Sequence, residues 1–95
     1  MAPVFILDKC QRIGTVWVAW FDCTCGRRHM HGLGDGDQPW SGGDRAAHCI
    51  PVQASVDRCP CGKWRTVHPG HARAATRNRE TGYTIVRTPD TEVIP

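Results

Sequence analysis

Two short segments with similar beginnings stand out in the sequence: CTCGRRHMHG at residues 23–32 and CPCGKWRTVHPGH at residues 59–71. Each begins with two cysteines separated by one residue and followed by glycine, and each contains a pair of histidines further on. Two thiols on such a tight turn can face one tetrahedral ion, and glycine accommodates the backbone where its amides point back at the sulfurs. This weak internal repeat predicts a metal-binding corner in each segment.

The six cysteines in 95 residues would suit either a disulfide scaffold or metal sites. The apolar run at residues 1–8 is too short for a signal peptide and has neither a basic leader nor a cleavage site. No stretch approaches the roughly 18 apolar residues of a membrane span. We therefore expect a reducing, cytoplasmic setting with no membrane partner, in which metal is favoured over disulfides. Zinc suits thiolate and imidazole ligands best.

Two arrangements of zinc ligands are compatible with the spacing. In one, the four corner cysteines share a single ion, as in a zinc ribbon. In the other, which the sequence favours because it uses more of the candidate ligands, the corners separate and hold two ions. The ligands would then be Cys23, Cys25, His31 and Cys49 for one ion, with His29 as the alternative to His31, and Cys59, Cys61, His68 and His71 for the other. Cys10 is expected to be an ordinary buried thiol.

The expected fold is a small α+β zinc-binding domain spanning residues 1–95, resembling a zinc ribbon or knuckle. A chain this short buries little apolar surface, so metal should be its main stabiliser and the four tryptophans should carry much of the core. The predicted elements are a short antiparallel sheet from residues 13–21, 28–32, 63–68 and 82–88, a helix at 70–80, a helical turn at 44–48 and a flexible tail at 90–95.

A longer pattern extends from the first corner. It runs from Cys23 and Cys25 through the histidine pair and Gly32 to Gly43, Arg45 and the His48-Cys49 pair, with Gly82-Tyr83 later. This pattern resembles small uncharacterised proteins of actinobacterial phages, plasmids and chromosomes, over about residues 16–49 and the closing strand. The resemblance implies metal binding in a bacterial host and implies no activity.

The basic residues are concentrated in one part of the chain. The formal net charge is +3, and residues 58–79 contain six basic residues and no acidic one. Such a segment can track the phosphates of a nucleic acid. The candidate contacts are Lys63, Arg65, Arg73, Arg77 and Arg79. We therefore expect a non-catalytic module that binds nucleic acid, DNA or RNA.

Two other functions remain open. Trp40, in a polar loop at residues 32–43, is a candidate anchor for a host protein that the chain inhibits or redirects. His48-Cys49 between the two corners loosely resembles nucleases of the His-Asn-His type, but the spacing is too short for their hairpin. The metal sets also leave no position for a catalytic water. We expect neither catalysis nor a small-molecule substrate.

Overall fold

The computed structural model describes residues 2–53 and 56–95, which form a small α+β fold, as predicted. The elements in chain order are β1 (Val4–Ile6), β2 (Lys9–Ile13), β3 (Val16–Asp22), β4 (Arg28–Gly32), β5 (Gly42–Arg45), α1 (Pro69–Thr81), β6 (Tyr83–Val86) and β7 (Glu92–Ile94).

The strands form two small sheets, whereas one antiparallel sheet was predicted. One sheet has the order β1-β6-β5 and the other the order β4-β3-β2-β7. Both are mixed, because β1 pairs with β6 and β2 pairs with β7 in parallel. These parallel pairs join distant parts of the chain, so no hairpin turn in the sequence indicates the pairing.

The strand β3 is central in its sheet, since it pairs with both β2 and β4. Trp17, Ala19 and Phe21 are buried on one face. The sheets meet where Phe21 stacks on Phe5 of β1, with ring centroids 5.1 Å apart, and meets Tyr83 of β6 edge-on at 5.3 Å. Aromatic contacts therefore join the two sheets.

The tryptophans contribute less to the core than predicted. Trp17 is buried and Trp20 is half-buried beneath the ammonium of Lys9, whereas Trp40 and Trp64 are 59% and 58% exposed. The cysteines and histidines of two metal-binding groups occupy much of the interior instead. Two large aromatic side chains are therefore left at the surface.

The helix α1 lies close to its predicted bounds. Pro69 occupies its first turn, where the missing amide hydrogen does no harm. Gly82, with φ +69°, ends the helix and its N–H donates to the carbonyl of Asn78 at 2.8 Å. The strand β6 begins immediately afterwards at Tyr83, so the helix connects the segment of the second corner to one of the sheets.

Three predictions of local structure are wrong. Residues 63–68 form turns and coil, because the chain bends there to bring His68 back to Cys59. Asp44 does not cap a helical turn; it lies in β5, where its Oδ1 accepts a hydrogen bond from Thr84 Oγ1 at 2.6 Å. Glu92–Ile94 in the supposed flexible tail form β7, which pairs with β2.

Candidate metal centres

The first cluster consists of Cys23, Cys25, His29 and Cys49, all buried, with their donor atoms within 4.8 Å of one another. Cys23 Sγ lies 3.7 Å from Cys49 Sγ, and His29 Nε2 lies 3.3 Å from Cys25 Sγ and 3.6 Å from Cys49 Sγ. Zinc bonds of about 2.0–2.3 Å at tetrahedral angles place ligand atoms about 3.3–3.8 Å apart. The first cluster thus has the spacing of a tetrahedral metal site.

The second cluster consists of Cys59, Cys61, His68 and His71 and is less deeply buried. Cys59 Sγ lies 3.1 Å from Cys61 Sγ, 2.8 Å from His68 Nδ1 and 3.2 Å from His71 Nδ1. These separations are somewhat shorter than those between coordinated atoms, so an entering ion would widen the group. All four donors nevertheless converge on one point, and four protein ligands fill a tetrahedral site.

The two clusters decide between the arrangements that the sequence left open. Cys23 and Cys25 belong to one group and Cys59 and Cys61 to the other, so the corners do not share an ion-binding point. The cysteines are free thiols, and a sulfur–sulfur distance of 3.7 Å far exceeds the roughly 2.05 Å of a disulfide. The prediction of two separate groups able to bind metal is confirmed.

The two corners are the same turn. The N–H of Gly26 donates to the carbonyl of Cys23 at 3.0 Å, and that of Gly62 donates to the carbonyl of Cys59 at 2.9 Å. Both glycines have positive φ, +89° and +77°, a conformation that is costly for a residue with a Cβ atom. The Cys-x-Cys-Gly repeat therefore encodes a repeated backbone geometry that turns both sulfurs of each corner inward.

The preference for His31 over His29 as a ligand is wrong. Both side chains lie on the buried face of β4, where His29 is opposite Phe21 and His31 opposite Ala19. His29 is closer to the corner and reaches the sulfurs. His31 lies one pleat further along, with Nε2 2.5 Å from the Tyr83 hydroxyl and its ring stacked on His48 at 4.1 Å.

The surroundings of His31 keep its ring neutral. Burial, together with the nearby charges of His48 and Arg45, lowers the pKa of His31 to about 4. The Tyr83 hydroxyl beside it also accepts a hydrogen bond from the His48 N–H at 3.4 Å. His48 and His31 thus belong to a polar group next to the first cluster.

Asn78 is a participant that the sequence analysis missed. Its side chain is 1% exposed, and its Nδ2 donates towards Cys23 Sγ at 3.3 Å, Cys49 Sγ at 3.5 Å and Thr24 Oγ1 at 3.3 Å. With a divalent ion, three thiolates and a neutral imidazole leave one negative charge in excess, which N–H donors stabilise. The available signal was spacing: Asn78 follows His71 by two helical turns.

The helix α1 therefore contributes to both clusters from one face. His71, near its beginning, is a donor of the second cluster, and Asn78 contacts the sulfurs of the first. The clusters also adjoin each other, since a Cβ atom built on Gly26 would lie 2.8 Å from His71 Nδ1. Glycine is thus required at Gly26 by the close approach of this ring as well as by its φ angle.

Each cluster already contains a thiol that ionises readily. A hydrogen bond from Cys25 is the main cause that lowers the pKa of Cys23 to about 5, while the pKa of Cys25 is raised. Burial opposes ionisation of Cys59, but hydrogen bonds from the His68 and Cys61 backbone and the Cys61 thiol outweigh it and lower the pKa to about 5. A thiolate at neutral pH is the form that binds a cation.

The predicted phosphate-binding residues lie on the surface of the loop after the second corner and along α1. The exposed side chains are those of Lys63 and Arg65 in the loop after the second corner, and of Arg73, Arg77 and Arg79 on α1. Among residues 2–53 and 56–95, the ion pairs closer than 4.0 Å are those of Arg28 with Asp8 and Asp22. Among the described residues, the basic side chains of segment 58–79 therefore make no ion pair within this distance, and this includes Arg77 and the nearby Glu80.

The Trp40 side chain is exposed, and one part of its ring packs against the backbone at Gly34. Its ring lies over Gly34, where an added Cβ atom would be 2.5 Å from Trp40 Cε2. With Val16 and Val18 of β3 it borders a shallow apolar depression. Trp40 thus presents an apolar surface next to Val16 and Val18 of β3.

No protein-family model, curated protein or solved structure matches the chain. The resemblance to small proteins of phages and mobile elements therefore stays a prediction. In the part of the chain that the structure describes, no helix has the length and apolar character needed to cross a membrane.

Proposed function

We propose that this chain is a zinc-stabilised, non-catalytic module that binds nucleic acid through its basic segment at residues 58–79. The observation that carries the proposal is the set of exposed basic side chains, without ion pairs among the described residues, on the loop and helix that supply the second Cys/His cluster. Metal would hold the backbone of the segment in one conformation, and the basic side chains would contact phosphates.

Zinc is the proposed metal because both clusters combine thiolate with imidazole in a four-donor set. Structural zinc contributes about 10–16 kcal/mol to the folding of small zinc-finger peptides at neutral pH. A contribution of that order equals or exceeds the usual total stability of a small domain, about 5–15 kcal/mol. Removing the metal should therefore unfold most of the chain.

A non-catalytic role is supported by the ligand sets. Each cluster offers four protein donors, whereas a catalytic zinc usually has three and keeps a position for water or substrate. The pattern at residues 23–49 further supports placing the chain with small zinc-binding proteins of actinobacterial phages and mobile elements, acting in the cytoplasm of the bacterial host.

Binding of labelled oligonucleotides to the zinc-loaded protein, measured by fluorescence anisotropy over a series of salt concentrations, tests the nucleic-acid proposal. The double substitution Arg73→Glu with Arg77→Glu reverses two charges on the exposed face of α1. Each lost phosphate contact should reduce the slope of log affinity against log salt by about 0.7 for single strands and about 0.9 for duplexes. We expect weaker binding and a shallower slope.

Two control variants test whether the loss of binding is caused by the charge and by its position in the segment. Arg73→Lys with Arg77→Lys preserves the charges and should bind nearly as the wild type does. Lys9→Glu reverses a charge on β2, outside the basic segment, and should change binding little. Undiminished binding by the double glutamate variant, or an equal loss with Lys9→Glu, would contradict the assignment to segment 58–79.

Binding of a host protein through Trp40 is the second candidate. It is favoured by the 59% exposure of this side chain beside the apolar residues of β3. Trp40→Ala should then abolish a specific capture from host lysate that Trp64→Ala preserves. Capture that is unaffected by Trp40→Ala would reject this surface.

A further inference from the structure

Trp64 occupies an unusual place for a large aromatic side chain. It lies in the loop that leads from the second corner to α1 and is 58% exposed. Its ring meets the ring of His68, a donor of the second cluster, with centroids 4.6 Å apart and planes at 73°. The position of the indole is thus set by a metal ligand, while most of its surface is open to solvent.

The edge-to-face contact with His68 leaves at least one face of the Trp64 indole uncovered by that ring. Whichever of the two rings provides the edge, His68 can cover at most one face of the indole. A tryptophan with a free face can stack on another planar ring, and stacking of a nucleic-acid base on an aromatic side chain contributes about 1–3 kcal/mol. Trp64 therefore has the geometry of a stacking platform and is not a core residue.

The charge around Trp64 favours an anionic ligand. Its neighbours Lys63 and Arg65 are exposed, and no acidic residue occurs between residues 58 and 79. With a divalent ion the two thiolates of the second cluster are neutralised, so this site does not repel phosphate. The first cluster, with three thiolates, retains one negative charge in excess and is buried. Trp64 is therefore flanked along the chain by two exposed cations and by no acidic residue within segment 58–79.

The shape of the loop distinguishes between kinds of nucleic acid. Residues 62–68 form turns and coil, so neither a helix nor a pair of strands projects Trp64 into a major groove. Bases in a duplex are already stacked and show only their edges, whereas unpaired bases expose their faces. A single strand offers unpaired bases that can stack on the free indole face and phosphates that can contact the flanking cations.

We infer that Trp64, with Lys63 and Arg65, forms a binding site for single-stranded nucleic acid in which a base stacks on the indole. This inference rests on the proposed function and makes it more specific. Both single-stranded DNA and single-stranded RNA carry the required faces and phosphates, and only RNA adds a 2′-hydroxyl.

The test compares the zinc-loaded wild type with Trp64→Ala, Trp64→Phe and Trp40→Ala. The probes are labelled oligothymidine, oligouridine and a duplex of the same length, followed by fluorescence anisotropy. Trp40 is the matched control because it is 59% exposed, nearly the same as Trp64 at 58%. Zinc content and circular dichroism of each variant verify that the second cluster remains intact.

Trp64→Ala should weaken binding of at least one single strand by about 5- to 150-fold, which corresponds to the loss of one stacked base. Trp64→Phe keeps a ring and should recover most of this loss, while duplex binding and the Trp40→Ala variant should change little. Oligodeoxyuridine, which differs from oligouridine only in the sugar, is added to show which sugar the site prefers.

Unchanged single-strand binding by Trp64→Ala, or an equal loss for duplex or for Trp40→Ala, would overturn the inference. If the arginine-to-glutamate pair on α1 still weakened binding in that case, the proposed function would stand without the stacking site. If the wild type bound none of the probes, both would fail.

Discussion

Replacing Asn78 with alanine removes the hydrogen-bond donors that reach two sulfur atoms of the first cluster. The amide nitrogen has two hydrogens and three acceptors within reach, Cys23 Sγ at 3.3 Å, Cys49 Sγ at 3.5 Å and Thr24 Oγ1 at 3.3 Å. The side chain is 1% exposed, so water cannot replace these donors without a rearrangement. The perturbation therefore acts directly on the thiolates.

The magnitude follows from the role of groups that contact metal ligands. Loss of such a group typically lowers metal affinity by about 10- to 100-fold, or about 1.4–2.7 kcal/mol. Asn78→Asp keeps nearly the same shape but removes the N–H donors and adds a carboxylate beside sulfurs that already carry excess negative charge. We expect the affinity of the first cluster for zinc to decrease in the order Asn78, Asn78→Ala, Asn78→Asp.

Competition with a chelator of known zinc affinity measures this effect. Cys23→Ser and Cys59→Ser identify which release step belongs to which cluster. Thr76→Ala is the control on the same helix, because the Thr76 side chain is exposed and, among the described residues, its hydroxyl donates to the Ala72 carbonyl at 3.2 Å and to no cluster atom. Wild-type zinc affinity of the first cluster in Asn78→Asp would refute the reasoning.

Two further perturbations follow from the geometry. Gly26→Ala should lower the melting temperature more than Gly14→Ala. Both glycines have positive φ, but among the described residues only a Cβ atom at Gly26 would meet a neighbour, His71 Nδ1 at 2.8 Å. Equal decreases in melting temperature for the two variants would contradict this contact. Tyr83 is the only tyrosine, and burial is the main cause that raises its pKa to about 12, so phenolate absorbance should appear well above pH 10. The free energy of unfolding should then fall as pH rises from about 10 towards 12, because only the unfolded chain loses this proton in that range. A phenolate titration of the folded protein with its midpoint at about pH 10 would contradict this prediction.

The parts that the sequence predicted well have local signals. The two corners, the helix and the central strand each follow from residues that are adjacent along the chain, such as Pro69 and Gly82 at the ends of α1. The grouping of His68 and His71 with the second corner was predictable for the same reason. Cys49 could be assigned to the first cluster only by counting the donors that a tetrahedral ion requires.

The parts that the sequence missed depend on contacts between distant segments. The strands β1 and β7 have three residues each and exist because β6 and β2 offer them a parallel edge. The choice between His29 and His31 depends on how far along β4 the sulfurs lie. Asn78 reaches the first cluster only because α1 packs across it, and no motif links Asn78 to Cys23.

Native mass spectrometry of the purified protein, with the metal identified by elemental analysis, tests the central claim most directly. The account predicts two zinc ions per chain, of which Cys23→Ser destabilises one and Cys59→Ser the other. A single ion that either substitution releases, or a folded chain without any bound metal, would contradict it.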